Sequence, residues 1–310
     1  MNAVRSALNR LIDYAGLFPP ASLAMDAAVE TYERVRESPY AWIAGRFIVP
    51  ASRLSELAEA LGRRVPFALS VILDAAATPA WLNEIAAICE LVAAAQRESR
   101  WRIETLELAL PAPRAARETF DAPIGQVRMV LENAGLRALP AFVEVPRTPR
   151  WRGLLAGAMA ALHRARLGAK VRCGGAAPDA VPSPEDLAAF VRLAVEGGVP
   201  FKATAGLHHP VRHRDPDGRP VHGFVNLMAA TLLARTGTSV EALAEVLGDE
   251  DAAAFALAGD TFTWREQVAH AAEVAQMRDE NFVAYGSCSF DEPTEDLVAL
   301  GVLTRETVAT

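Results

Sequence analysis

Of the 31 basic residues in this 310-residue chain only two are lysines, Lys170 and Lys202, in a chain otherwise supplied with arginine. An amine can lose its proton when buried and attack a carbonyl, whereas a guanidinium stays charged at any relevant pH. A lysine kept under that bias marks a place where arginine would not serve, and Lys202 lies in a run that reads as a buried strand. The plain alternative is that two lysines survived by chance.

Histidine is the second concentration of chemistry. His208, His209, His213 and His222 fall within fifteen residues, just past the Lys202 run. Neutral imidazole is both a general base and a metal ligand near pH 7. His208 or His209 is the preferred general acid/base. The alternative is a divalent metal held by His208, His209 or His222 with a carboxylate such as Glu144. No His-Glu-x-x-His or paired Cys/His zinc spacing is present, so no cofactor is expected from motif alone. Solvated loop histidines are the uneventful reading.

The elements that must carry these residues alternate in type. Strand-like runs at 46–50, 67–73, 103–110, 141–145, 170–173, 199–205 and 281–287 are separated by helical stretches, among them 79–95, 122–133 and 152–166. Ser183-Pro184-Glu185-Asp186 reads as an N-cap with proline at the first helical position. Strands joined by helices of ten or more residues pair in parallel. The expected fold is therefore α/β, a (β/α)8 TIM-type barrel in one domain spanning 1–310, with a helical insertion at 222–280 before the last strand. The alternative, an open doubly wound sheet, lacks the glycine-rich dinucleotide turn after its first strand. Asp215-Pro216-Asp217-Gly218 predicts the tip of a projecting hairpin.

Side chains alternate across a strand. If Val199, Phe201 and Ala203 face covering helices, Lys202 and Thr204 face the barrel axis. The same parity turns Lys170 and Arg172, Thr105 and Glu107, Phe142 and Glu144, and Ser70 and Asp74 inward. One unpaired buried charge costs several kcal/mol, so such a set must pair, meet water or titrate. Barrel interiors are ordinarily apolar, with active sites at the C-terminal strand ends. Gly174-Gly175 and Gly286-Ser287 could offer backbone N–H groups to an anion that Arg172 clamps. Cys173 and Cys288 also stand at strand ends, where a lone thiol is more often packing than nucleophile.

Several segments resemble deoxyribose-phosphate aldolase and its class I aldolase relatives. Leu11 to Pro19, which contains Asp13, is similar to their N-terminal Ile-Asp-His-Thr-x-Leu-x-Pro signature. Leu106-Glu107-Leu108 falls where they carry a catalytic aspartate. Phe201 to Leu207 resembles their Val-Lys-Ala-x-Gly-Gly-Ile strand, whose lysine is the second active-site lysine. Tyr285-Gly286-Ser287-Cys288-Ser289 is similar to a Gly-Thr-Ser turn that binds substrate phosphate. Their Schiff-base lysine sits in Val-Lys-Thr-Ser-Thr-Gly. An ungapped match to Lys170-Val171-Arg172-Cys173-Gly174-Gly175 puts Val171 there. The resemblance thus implies a related barrel without supporting a deoxyribose-phosphate substrate, and leaves Lys202 as the better nucleophile, its pKa lowered by burial and by Arg172 or Lys170.

Three functional readings follow. The first is a lyase or aldolase acting on a small, anionic carbonyl compound, with Lys202 as nucleophile or electrostatic catalyst and Glu107, Glu144 or a histidine moving the proton. Asp13, Lys170, Arg172, Thr204, Gly174, Gly175, Gly286 and Ser287 are then its substrate-binding candidates. The second is the metal-dependent hydrolase or lyase, and the third a non-catalytic barrel used for binding. A net charge of -7 and 7% aromatic residues argue against nucleic acid as a partner. No run approaches the roughly 20 apolar residues of a membrane span, and the three cysteines form no disulfide framework. A small-molecule substrate, a cytoplasmic location and a homo-oligomer are the remaining expectations.

Overall fold

The computed structural model describes residues 2–62, 67–98, 102–113, 115, 117–175 and 180–305. Eight strands close into a barrel: β1 (Ile12–Tyr14), β2 (Ala44–Pro50), β3 (Ala68–Ile72), β4 (Arg102–Ala109), β5 (Ala141–Glu144), β6 (Gly168–Arg172), β7 (Phe201–Thr204) and, much later, β13 (Phe282–Ser287). Every neighbouring pair is parallel, and β1 closes the ring between β13 and β2. The TIM-type barrel is therefore what this sequence forms.

A helix follows each barrel strand. In chain order, after the N-terminal α1 (Ala3–Leu8), these are α2 (Met25–Glu37), α3 (Leu54–Leu61), α4 (Trp81–Arg97), α5 (Asp121–Asn133), α6 (Trp151–Ala165), α7 (Pro184–Glu196) and α8 (Phe224–Arg235), with α11 (Asp291–Ala299) after β13. The Ser183 hydroxyl accepts the Asp186 N–H at 3.2 Å and Pro184 opens α7, so that helix starts where its cap dictates. The outward strand residues build the main core. Phe201 stacks on Phe282 with ring centroids 5.4 Å apart and meets Phe190 of α7 edge-on at the same separation.

Two sequence expectations need correction here. The first is the helical insertion at 222–280. Its opening helix, α8, belongs to the barrel's outer ring, and the insertion proper is mixed. After α9 (Val240–Gly248) come β10 (Phe255–Ala258), β11 (Thr261–Trp264) and β12 (Gln267–His270), an antiparallel three-stranded sheet, and only then α10 (Ala271–Glu280). Thus 255–258, 261–264 and 267–270 are strand rather than helix. The second concerns β1, whose three residues are all buried. A strand this short, buried on both faces, has no alternation to betray it. The expected hairpin at 213–221 is present as β8 (His213–Arg214) paired with β9 (Pro220–Val221).

One irregularity shapes the interior. Leu69 pairs with Ile103 but Ser70 pairs with Thr105, so Glu104 is an extra residue in β4, a β-bulge. Among the described residues no helix is long and apolar enough to cross a membrane.

Candidate active site

Lys170 and Lys202 are direct partners on the adjacent strands β6 and β7. Their side chains meet the carboxylates of β1, β4 and β5 in the barrel interior. Lys202 Nζ lies 2.6 Å from Asp13 Oδ2 and also contacts Glu107 Oε1. Lys170 Nζ is 2.7 Å from Glu107 Oε2 and 3.8 Å from Glu144 Oε2. Arg172 then grips Glu144 with two hydrogen bonds, Nε to Oε1 at 3.0 Å and Nη2 to Oε2 at 3.3 Å.

The result is an alternating row, Asp13–Lys202–Glu107–Lys170–Glu144–Arg172, with three positive and three negative groups. It grades from sealed to open. Lys202 is 1% exposed and the Arg172 side chain 48% exposed. Ser70 adds polar support, its hydroxyl donating to Glu107 at 2.6 Å while it accepts from Thr105 at 2.8 Å. The Lys202 ammonium also lies 5.7 Å from the Phe142 ring centroid, within cation–π range.

These contacts set protonation. Burial alone would pull the Lys202 ammonium down. Asp13 and Glu107 outweigh it, so Lys202 titrates above the ordinary lysine value. The expectation of a lowered Lys202 pKa is therefore wrong, because its neighbours are carboxylates, not Arg172 or Lys170. Burial would likewise raise the Glu107 carboxyl, yet Lys170 and Lys202 hold it well below the usual carboxylate range. Glu107 is an anion between two amines.

Parity thus brings Glu107, Glu144, Lys170, Arg172 and Lys202 together, and Asp13, which entered through the resemblance of its segment, joins them. It does not bring Asp74, which is exposed and accepts from the Ser52 backbone at 3.2 Å and from its hydroxyl. Beyond Ile72 the strand has ended, so alternation no longer governs the side chain. Thr204 and Gly286 face each other across β7 and β13, and a Cβ on Gly286 would stand 3.3 Å from the Thr204 hydroxyl. Ser287 is buried and its hydroxyl accepts the Ser289 N–H at 3.3 Å.

Gly174 has a packing reason to be glycine. A Cβ there would lie 2.8 Å from the Gly206 Cα, where the loops after β6 and β7 touch. Gly175 has φ +155, and Ala205 and Gly206 take φ +58 and +72 in succession, so β7 ends in a left-handed bend.

The histidines separate into two groups. His208 and His209 meet α11: His208 Nδ1 is 2.9 Å from Glu292 and His209 Nδ1 is 2.6 Å from Asp296. Glu292 and Asp296, four apart, share one helix face, which is why adjacent histidines each find a carboxylate. His222 lies apart from them. It is fully buried, with Nε2 2.8 Å from the Pro182 carbonyl and Nδ1 3.1 Å from Arg212. Burial and then Arg212 push its pKa down to about 4, the Pro182 carbonyl notwithstanding. The metal set His208, His209 and His222 is thus not assembled, and among the described residues no group of three His, Cys, Asp or Glu side chains is placed to share an ion.

Cys173 is buried, and its thiol is pushed up to about 12 by desolvation. Cys288, which the sequence favoured as packing, has its Sγ 3.8 Å from His208 Nε2.

No family model matches the chain, and no curated protein matches it. Among solved structures it is similar to the tetrameric deoxyribose phosphate aldolase from Aeropyrum pernix, at 19% identity and a TM-score of 0.47, over 67% of this chain and 81% of that one. The likeness is distant. The barrel stands on its own strand order, and the residue roles proposed below stand on the contacts just described.

Proposed function

We propose that this barrel is an aldolase-like lyase that holds a small, anionic carbonyl compound as an iminium on a barrel lysine, and that Lys170 is that lysine. The observation that carries the reading is the alternating row, in which two amines flank one obligate carboxylate. Lys202 is clamped by Asp13 and Glu107 and stays an ammonium. Its place is electrostatic. It holds Glu107 ionised and adds positive potential where negative charge develops.

Lys170 has the more open position, nearer the Arg172 end of the row. Its proton passes to Glu144, and the free amine attacks the carbonyl carbon. The carbinolamine loses its oxygen as water, protonated from Glu144, leaving an iminium. Glu144, again an anion, takes the proton of the hydroxyl one carbon further out as the C–C bond breaks, so that fragment leaves as a carbonyl compound while the bond's electron pair enters the iminium and gives an enamine. Glu144 returns that proton to the enamine carbon, and water releases the product from Lys170. Arg172, half exposed and engaged only with Glu144 among the described contacts, is placed to exchange that carboxylate for the anionic end of a substrate.

The test is borohydride trapping with short aldehydes and 2-keto acids, followed by peptide mapping. An adduct on Lys170 that vanishes in Lys170→Met supports the mechanism. A substrate turned over without a reducible adduct on either lysine overturns it. An adduct on Lys202 alone restores the sequence-based assignment of the nucleophile.

A further inference from the structure

The row of charges leaves unused a second constellation at the C-terminal end of the barrel. Cys288 directly follows β13, His208 lies in the loop after β7, and Glu292 is in the first turn of α11. Cys288 Sγ is 3.8 Å from His208 Nε2, and His208 Nδ1 is 2.9 Å from Glu292 Oε2. One ring nitrogen therefore meets the thiol and the other a carboxylate, the order in which a base activates a nucleophile while a third group orients the base. All three line one cavity of about 850 Å³, together with Gly206, His209 and His213.

We propose that Cys288, His208 and Glu292 form a thiol site that adds reversibly to the carbonyl of a small aldehyde. The thiol proton passes to neutral His208 at Nε2, and sulfur forms a bond to the aldehyde carbon. The carbonyl π pair moves to oxygen, and the imidazolium returns its proton there. The product is a neutral hemithioacetal, formed without exchange of electrons with any other reagent. Glu292 accepts from Nδ1 throughout. Such an addition needs a nucleophile, one proton carrier and room for a ligand, and no leaving group. Cys288 contact, with Glu292 adding to it, outweighs desolvation and raises the His208 pKa, in keeping with a ring that takes up the thiol proton. The site does not depend on iminium formation at Lys170.

The other two thiols serve as internal controls. Cys89 and Cys173 are fully buried, each pushed up to about 12 by desolvation. The experiment is iodoacetamide alkylation of the full chain, mapped to Cys288 by peptide mass over a pH series. At pH 7 wild type is expected to react roughly tenfold faster than His208→Gln, with Glu292→Gln between them, because the adjacent imidazole takes the thiol proton as sulfur attacks. Glu292 is half exposed, so its variant reports on the site with little demand on folding. Preincubation with propanal should slow alkylation of Cys288 severalfold, and removing the aldehyde by gel filtration should restore it. Equal rates in wild type and both variants, or alkylation indifferent to propanal, overturns the proposal. Borohydride trapping reads the lysine site and this assay does not, so either can fail alone.

Discussion

The barrel interior carries two ionic layers that differ in the kind of cation they use. Toward the N-terminal end, Glu104 is surrounded by guanidiniums: Arg10 at 2.5 Å, Arg102 at 2.9 Å and Arg46 at 3.1 Å. Three residues along the same strand, Glu107 is surrounded by amines. Asp13 joins the two layers, accepting the Arg46 backbone N–H at 2.7 Å on Oδ1 and facing Lys202 with Oδ2. Guanidiniums cannot give up a proton in water, so the lower layer can only hold the barrel together. An amine can, and the upper layer is where the chain departs from its own preference for arginine. The two clusters differ in cation type as well as in burial, since Lys202 is 1% exposed whereas Arg10 and Arg102 are 40% and 64% exposed.

The most severe way to break the contrast is to exchange the cations. Lys170→Arg keeps the charge beside Glu107 and removes the nucleophile. Turnover on any substrate found for the wild type should fall by on the order of 10³-fold, and borohydride should trap nothing at that position. Activity that survives Lys170→Arg would place the amine layer with the guanidinium layer as scaffold, the role expected of a non-catalytic barrel.

Carboxylate removal should also be unequal. Glu107→Gln leaves two buried ammoniums short of a counterion and should cost about 3–5 kcal/mol in denaturant unfolding. Glu104→Gln should cost only about 1 kcal/mol, because Arg10 and Arg102 are 40% and 64% exposed and can turn to water. Equal losses would erase the distinction between the layers.

Acid titration sharpens the comparison further. The Glu107 carboxyl is depressed in the folded chain, so its stabilisation is complete above its unfolded value near 4.5 and is lost as pH falls through the folded value. Lys202 is raised, so its share is complete below about 10.5 and is lost as pH rises beyond that. The melting temperature should be level between about pH 5 and 10 on account of this pair and decline below about pH 4.5. Glu107→Gln should flatten that acid limb relative to wild type. A modest effect is also expected at the loop contact. Gly174→Ala must part the loops after β6 and β7, at about 1–3 kcal/mol, measurable as a shifted denaturation midpoint.

Much of this was legible in the chain. Strand parity placed Lys202, Lys170, Glu107, Glu144 and Arg172 on one side because each strand was flanked by outward apolar residues that fix its phase. β1 was not visible as a strand, and Asp13 entered only through the resemblance of its surrounding segment. The inserted sheet had its own signals. Thr261-Phe262-Thr263-Trp264 alternates with period two, and Gly259-Asp260 between β10 and β11 is a hairpin pair, but alanine-rich flanks favour a helical reading. Strand parity could not supply the protonation of Lys202. It says which residues face inward, not which of them touch, and the sign of the shift depends on touching. Cys288, His208 and Glu292 lay beyond reach for the same reason, since 80 and more residues separate the histidine from its partners.

The additional residue in β4 has an architectural corollary. Because the bulge absorbs Glu104 locally, Thr105, Glu107 and everything above them keep the facing they would have had without it. A descendant of this chain could lose that glutamate, its three arginines or the whole basal cluster while the amine storey stayed upright. The two levels are free to drift apart in evolution, one answering to durability and the other, under the proposed function, to catalysis.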